Sequence, residues 1–260
     1  MDFKLFLETT ELDMPKVTFP RPGGKARMTK WLFQYFPKNG RIYVEPFAGA
    51  GNVFFAAKQE LHFREWHLND LQTGSFLKSI IEVNPKDLPY QVPKEDFPKW
   101  KDDNSHVSNV IQGAVTHKAK GYPAGWAGDC GTHVGYRGDR FGRRIEDAKT
   151  LLDQPNVEIT SMSWEKMPYR TYGSQDFIYF DPPYYGADPK SVGYPQINHE
   201  DLLKELRRAK YRWILSGYDN DLYKQQIGDF WKASTTRNAE MASSNQKKAV
   251  PRVETIWSNF

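Results

Sequence analysis

An α/β fold is predicted for this chain: a Rossmann-like, mostly parallel sheet interrupted by an inserted, mostly helical or loop segment. Three observations predict it. Between Arg41 and Val83 a β-branched run enters a glycine-rich turn, a helix and a second strand. The same strand-and-helix alternation returns at Val157. Between them, residues 85–155 hold neither period, being rich first in Pro, Lys and Asp and then in Gly. Strands separated by helices pair in parallel, because a crossover of that length brings the chain back to the same sheet end.

Gly23 and Gly24 precede a predicted helix over Lys25 to Phe36, closed by Pro37, which cannot continue it. Arg41-Ile42-Tyr43-Val44-Glu45 reads as a buried strand that enters the turn Pro46 to Gly51. A helix is predicted over Asn52 to Glu60, a strand over Glu65 to Leu68 and a helix over Leu71 to Val83. Asn84 to Asn104 has little periodicity, and Gly121 to Gly142 is dense enough in glycine to predict irregular backbone. Arg143 to Leu152 is predicted helical. Strands are then expected at Val157–Ser161, Asp176–Phe180, Tyr211–Ser216, Phe230–Thr236 and Val253–Trp257. Asn198 with Asp201 three residues on opens a helix to about Ala209, and a second helix spans Asp219 to Ile227. The organisation is a core of residues 1–84 and 156–260, split by an insertion at 85–155.

At 260 residues the chain fits one large domain, or a core with a smaller insertion. A net charge of +4 permits a polyanionic partner without demanding one. The single cysteine, Cys130, rules out an intrachain disulfide framework and a cysteine zinc site. The six histidines show no metal-ligand spacing, so no metal is expected and they are assigned surface or capping roles. The N-terminus lacks an apolar signal core and no stretch approaches the roughly 20 apolar residues of a membrane span, so a soluble, cytoplasmic protein is expected.

Two turns carry chemistry. Glu45-Pro46-Phe47-Ala48-Gly49-Ala50-Gly51 lies after a strand and before a helix, where glycines let backbone approach a ligand near a helix N-terminus. Asp70 ends the next strand roughly 20 residues on, the usual spacing for a carboxylate that binds ribose hydroxyls. The pair predicts an adenosine-containing cofactor. Phe54 stands where the third glycine of the dinucleotide pattern would fall, which argues against NAD.

Asp181-Pro182-Pro183-Tyr184 follows the apolar strand Phe177-Ile178-Tyr179-Phe180 and is the specific signal. Two prolines stiffen the turn and offer no backbone donors. They expose the Asp181 carboxylate and the Pro182 carbonyl as two fixed acceptors. Such a pair can take both N–H groups of an amine on an aromatic ring, so that its lone pair faces an electrophile. Tyr184 would stack on that ring, which must leave a duplex to reach it.

These blocks, in this order, resemble the Dam-type family of DNA adenine methyltransferases. Pro22-Gly23-Gly24-Lys25 is similar to the family's first block, Phe47-Ala48-Gly49-Ala50-Gly51 to its cofactor loop, and Asn69-Asp70 to its ribose-binding pair. Asp181-Pro182-Pro183-Tyr184 matches its catalytic motif, and Leu215–Asp219 and Arg252–Asn259 resemble later blocks. The resemblance implies a methyltransferase sheet with a target-recognition domain at 85–155 and S-adenosyl-L-methionine as cofactor. It implies direct, in-line methylation of a flipped-out adenine at N6. Its cofactor residues would be Gly24, Lys25, Glu45, Phe47, Ala48, Gly49, Gly51, Asn69 and Asp70, with Lys25 on the cofactor's carboxylate. Asp181, Pro182, Pro183 and Tyr184 would be catalytic. Double-stranded DNA is the implied partner, a cognate restriction endonuclease a candidate companion, and a monomer the expected state. Arg137, Arg140, Arg143 and Arg144, set among glycines and aromatics, are candidates for reading guanine or binding phosphate.

Rival readings remain at this point. Cytosine N4 methylation uses the same geometry, though its enzymes more often resemble Ser-Pro-Pro-Tyr. Glutamine methyltransferases usually resemble Asn-Pro-Pro-Tyr, and RNA methylation uses related motifs. A catalytically silent DNA-binding protein on the same scaffold is the alternative from another class.

Overall fold

The computed structural model describes residues 17–19, 24–89, 99–100, 103, 105–115, 138–186, 196–239 and 250–260. Seven strands form one sheet: β1 (Asn39–Glu45), β2 (His62–Asn69), β3 (Val157–Thr160), β4 (Phe177–Phe180), β5 (Arg212–Tyr218), β6 (Trp231–Ala239) and β7 (Val250–Ser258). Their spatial order is β3-β2-β1-β4-β5-β7-β6. The first five are parallel, and β7 runs against both β5 and β6. The order reverses between β1 and β4, which makes a switch point where the connections after β1 and β4 run in opposite directions along the sheet. A crevice opens there at the carboxyl ends of the strands.

The strand residues alternate between two cores, as a sheet covered on both sides requires. Tyr43, Phe177, Tyr179, Ile214 and Ile256 face one core, packed with Phe54, Phe55, Leu77 and Ile80. Ile42, Val44, Ile178, Phe180, Trp213, Leu215 and Trp257 face the other, packed with Leu202, Leu203, Leu206 and Ile227. Helices α1 (Thr29–Leu32), α2 (Asn52–Glu60), α3 (Gly74–Glu82), α4 (His106–Val115) and α5 (Gly138–Leu152) contribute to the first. Helices α6 (His199–Arg208) and α7 (Asp221–Ile227) contribute to the second.

The expected elements recur with local differences. Helix α2 spans the expected residues, and α6 is capped as read, the Asn198 side chain accepting from Asp201 N–H. The helix predicted over 25–36 contracts to the four residues of α1, flanked by turns, because Lys25 is drawn inward to bind carboxylates. Helix α3 begins at Gly74 rather than Leu71, since Asp70 takes the preceding N–H groups of Gln72 and Thr73 onto its carboxylate. The irregular backbone expected to Gly142 ends earlier, as α5 is helical from Gly138.

Helix α4 was not anticipated. It packs on α3, as does α5, and Val110, Ile111, Ile145, Ala148, Leu151 and Leu152 are buried in the first core. Both flanks of the 85–155 stretch are therefore joined to the sheet's own core. Residues 116–137, between them, lie outside the described residues.

Candidate active site

The turn after β1 is built to present backbone. Gly49 has φ +55° and Gly51 φ +77°, a left-handed region costly for other residues, and Gly51 is the N-cap of α2. A Cβ at Gly49 would meet open space, whereas one at Gly51 would press on Phe55 at 3.0 Å. The turn is clamped to the end of β2. Ala48 N–H donates to the Asn69 carbonyl at 2.8 Å, Gly49 N–H to Asp70 Oδ2 at 2.9 Å, and the Thr73 hydroxyl to the Gly49 carbonyl.

Asp70 is buried, and besides Gly49 its other oxygen accepts from Gln72 and Thr73 N–H at 2.9 and 2.8 Å. Its carboxylate thus organises the two turns that flank the crevice. Asn69 is buried too, donating to the Pro46 and Met162 carbonyls and accepting from Met162 N–H and the Thr160 hydroxyl. Leu71 beside them is 55% exposed, an apolar side chain offered at the rim of the crevice.

Glu45, last residue of β1, is fully enclosed and accepts from the Tyr43 hydroxyl at 2.7 Å. Burial pushes its carboxyl up to about 8; the Tyr43 hydrogen bond opposes this and nearby Asp181 adds to it. Glu45 is therefore largely a neutral acid near pH 7, able to donate as well as accept.

The second turn leaves β4, which lies beside β1 with Val44 paired to Ile178. The two turns consequently emerge side by side at the switch point. Lys25 reaches in from the N-terminal segment, its Nζ 2.8 Å from Asp181 Oδ1 and 3.3 Å from Glu254 Oε1 on β7. The same ammonium sits 4.7 Å from the centre of the Tyr184 ring. The Tyr184 hydroxyl donates to Glu254 Oε1, and its ring meets Tyr218 edge-on at 4.5 Å. Burial lowers the Lys25 ammonium's proton affinity, but Asp181 and Glu254 outweigh it and hold the group above its ordinary range. Burial raises Glu254 to about 7, with Lys25 pulling it down and Asp181 pushing it up.

The turn is braced from below by His199, which is buried rather than at the surface or in a cap as expected. Its Nδ1 lies 2.7 Å from the Tyr223 hydroxyl and its ring meets Tyr185 edge-on at 5.4 Å. Burial lowers the imidazole to about 4, against the pull of the Pro183 backbone beside it. It is a neutral strut.

The structure brings Lys25, Glu45, Asp181 and Tyr184 together, and joins Asp70 to the β1 turn through Gly49; Phe47, Ala48, Gly49 and Gly51 lie in that turn, Pro182 and Pro183 in the turn after β4, Asn69 at the end of β2 and Gly24 beside Lys25 in the N-terminal segment. Sequence reasoning gave no role to Glu254 or Tyr43. For Tyr43 a signal existed: it lies two residues before Glu45, on the same face of β1. Of the arginines, Arg143 is exposed and Arg144 half-buried on α5. Arg140 lies in α5 with its side chain outside the description, and Arg137 lies outside the described residues. No cluster of His, Cys, Asp and Glu suited to a metal occurs among the described residues, and none of their helices is long and apolar enough to cross a membrane.

Comparison with known proteins falls on these elements. Residues 22–107 match the model of the D12 class N6 adenine-specific DNA methyltransferases. Over 225 residues, 73% of this chain and 76% of the relative, the chain is 26% identical to type II methyltransferase M.MjaIII of Methanocaldococcus jannaschii. Among solved structures it aligns with an rRNA methylase from Streptococcus thermophilus over 92% of this chain and 98% of the other, at TM-score 0.38 and 13% identity. It also aligns with the human methyltransferase 10 domain containing protein over 94% and 86%, at TM-score 0.39 and 8% identity. The matched region takes in the Gly24-Lys25 block, the glycine turn and the Asn69-Asp70 pair, and over it the chain is similar to the D12 class of N6 adenine-specific DNA methyltransferases.

Proposed function

We propose that the chain transfers a methyl group from S-adenosyl-L-methionine directly to N6 of an adenine flipped out of double-stranded DNA, at the crevice between the β1 and β4 turns. The observation that carries this is the juxtaposition of those turns at the switch point, with the Asp181 carboxylate fixed by Lys25 at 2.8 Å. The residues fit the cofactor: the left-handed glycines leave open space at Gly49, and an exposed apolar Leu71 lies beside Asp70 at the rim.

Bound there, S-adenosyl-L-methionine supplies an electrophilic methyl group. Gly24, Lys25, Glu45, Phe47, Ala48, Gly49, Gly51, Asn69 and Asp70 are the proposed cofactor site. Asp70 serves it by holding the glycine turn, and Glu45 by lining the crevice as a neutral acid. The Asp181 carboxylate and Pro182 carbonyl accept the two N–H groups of the amine, which directs its lone pair towards the methyl carbon. The Tyr184 ring stacks on the base. As the N–C bond forms, the cofactor's methyl–sulfur bond would break with its electron pair kept by sulfur, leaving a neutral thioether, and Asp181 takes the proton that the nitrogen then sheds, directly or through water. No nucleophile from the chain is required.

The target-recognition role of residues 85–155, and DNA contacts by Arg137, Arg140, Arg143 and Arg144, belong to the same proposal. So do a monomeric state and a companion restriction endonuclease, which the "type II" in the relative's name supports.

The test is product identity. Purified protein, S-adenosyl-L-methionine and unmethylated bacterial genomic DNA are incubated, and the nucleosides are quantified by mass spectrometry. N6-methyldeoxyadenosine is expected. N4-methyldeoxycytidine, or no methylated nucleoside under conditions where cofactor binds, would refute the reading.

A further inference from the structure

We infer that Glu254 is a positioning residue for the catalytic turn, the second carboxylate of a buried charge cluster that holds Lys25 and Tyr184 in place and keeps the Asp181 acceptor from being neutralised. This deepens the proposed reaction and rests on it.

The argument begins with Lys25. A buried ammonium must be paired, since desolvation costs it several kcal/mol. Asp181 alone would satisfy that need, but the ion pair would then be neutral, and its carboxylate would have little left to offer an incoming N–H. Glu254 changes the sum. One ammonium shared between two carboxylates leaves the cluster net negative. Methyl transfer carries positive charge onto the amine nitrogen, so a fixed negative cluster against that nitrogen stabilises the charge as it develops.

The backbone holds Glu254 where this requires. It sits on β7 between two neighbouring strands, in register with Tyr218 on β5 and Thr235 on β6. Its side chain is fully buried. Oε1 takes both Lys25 and the Tyr184 hydroxyl, which fixes the ring as well as the charge. Oε2 has no hydrogen-bond partner among the described residues. Leaving a buried carboxylate oxygen unpaired costs about 1–3 kcal/mol. A sheet that needed only stability would place an apolar residue there.

The charged and titratable groups facing Glu254 are Lys25 from the N-terminal segment, Asp181 and Tyr184 from the catalytic turn, and Tyr179 from β4. Tyr218 is its register partner on β5. Lys25 keeps its proton throughout the neutral range, burial raises Tyr179 far above its ordinary value, and burial lifts Glu254 to about 7.

The experiment uses the full chain and single-turnover methylation of unmethylated genomic DNA from pH 6 to 9, with cofactor affinity by calorimetry and denaturant unfolding at pH 5 and 8. The wild-type rate is expected to rise through an acid limb centred near 7, the value to which burial lifts Glu254. Glu254→Gln is expected to bind cofactor within about threefold of wild type, to be slowed at least about tenfold at pH 8, and to lose that limb. Its unfolding free energy should also gain on wild type from pH 5 to 8, because a raised carboxyl loses stability across that window. Glu254→Asp should restore part of the rate. If Glu254→Gln does not fold, Tyr184→Phe decides: losing a donor to the carboxylate should move the limb to higher pH. A Glu254→Gln enzyme with the wild-type rate and profile, one that loses cofactor binding together with activity, or an unmoved limb in Tyr184→Phe would each overturn the inference. Absence of N6-methyldeoxyadenosine with the wild-type chain would instead sink the underlying reading.

Discussion

Asp181 is the residue on which the proposed reaction turns, and its neighbours say how a variant should behave. Asp181→Ala leaves Lys25 paired to Glu254 at 3.3 Å, so the fold and the cofactor turn should survive. Methylation should fall at least about 10²-fold, the usual effect of deleting a preorganised polar group, with cofactor affinity by calorimetry little changed. Turnover near the wild-type rate would refute the assignment. Asp70 should behave in the opposite way. Its carboxylate accepts three backbone N–H groups, from Gly49, Gln72 and Thr73. Asp70→Ala should weaken cofactor binding and also cost roughly 1–3 kcal/mol of stability, the penalty for buried donors left unpaired. A loss of affinity with no loss of stability would mean that Asp70 acts on ribose alone. Glu45 supplies a pH test with a definite sign. Its folded value of about 8 exceeds the ordinary 4.5, so its contribution is full below about 4.5 and is lost as pH rises through 8. Glu45→Gln should remove that slope, gaining on wild type in denaturant unfolding from pH 5 to pH 9.

At the scale of elements, the glycine turn separates strain from function. Gly49 and Gly51 both sit at positive φ, so alanine at either should cost about 1–2 kcal/mol of stability. Their surroundings differ: Gly51 looks onto Phe55 and Leu77, and Gly49 onto open space. Gly51→Ala should therefore show mainly a stability loss, and Gly49→Ala an added loss of cofactor affinity. Equal affinities in the two variants would contradict the placement of the cofactor.

The same elements show what the sequence made legible. Apolar, β-branched runs and turn chemistry located each strand within a few residues, because a sheet buried on both faces leaves an apolar run bounded by Gly, Pro, Asn and Asp. The two turns of the proposed site were legible for the same reason. Helix α4 was missed although Val107, Val110, Ile111, Ala114 and Val115 fall at helical spacing, because the polar stretch before it reads as loop; in the fold it packs on α3. Glu254 was visible as a charge in a strand, but its partners come from residues 25, 181 and 184, and no local pattern joins them. His199 was read, with the other histidines, as a surface or capping residue for want of metal-ligand spacing. That it faces Tyr185 and Tyr223 follows from how α6 and α7 meet below the turn.

For the molecule as a whole, the question is how a sheet that holds cofactor and base chooses its DNA. Helices α4 and α5 belong to the core through Val110, Ile111, Ile145 and Leu152, so neither can be removed without unfolding the first face. In the proposed reading, recognition is accordingly assigned to residues 116–137 and to the outer surface of α5. On α5, Arg143 is exposed, Arg144 is half-buried, and burial lowers the Arg144 guanidinium. An exposed arginine that meets phosphate contributes to affinity through counterion release, independent of sequence. Arg143→Ala should thus weaken DNA binding uniformly and flatten the dependence of log K on log salt by about one unit, with the methylated sequence unchanged. Replacing residues 121–136 with a short Gly-Ser linker should do the reverse, leaving cofactor affinity within about threefold while degrading target preference. Sequencing of methylated sites, with binding measured at several salt concentrations, separates the two outcomes. If the linker variant keeps its target sequence, the choice of DNA lies elsewhere, and the exposed side of α5 becomes the surface to mutate next.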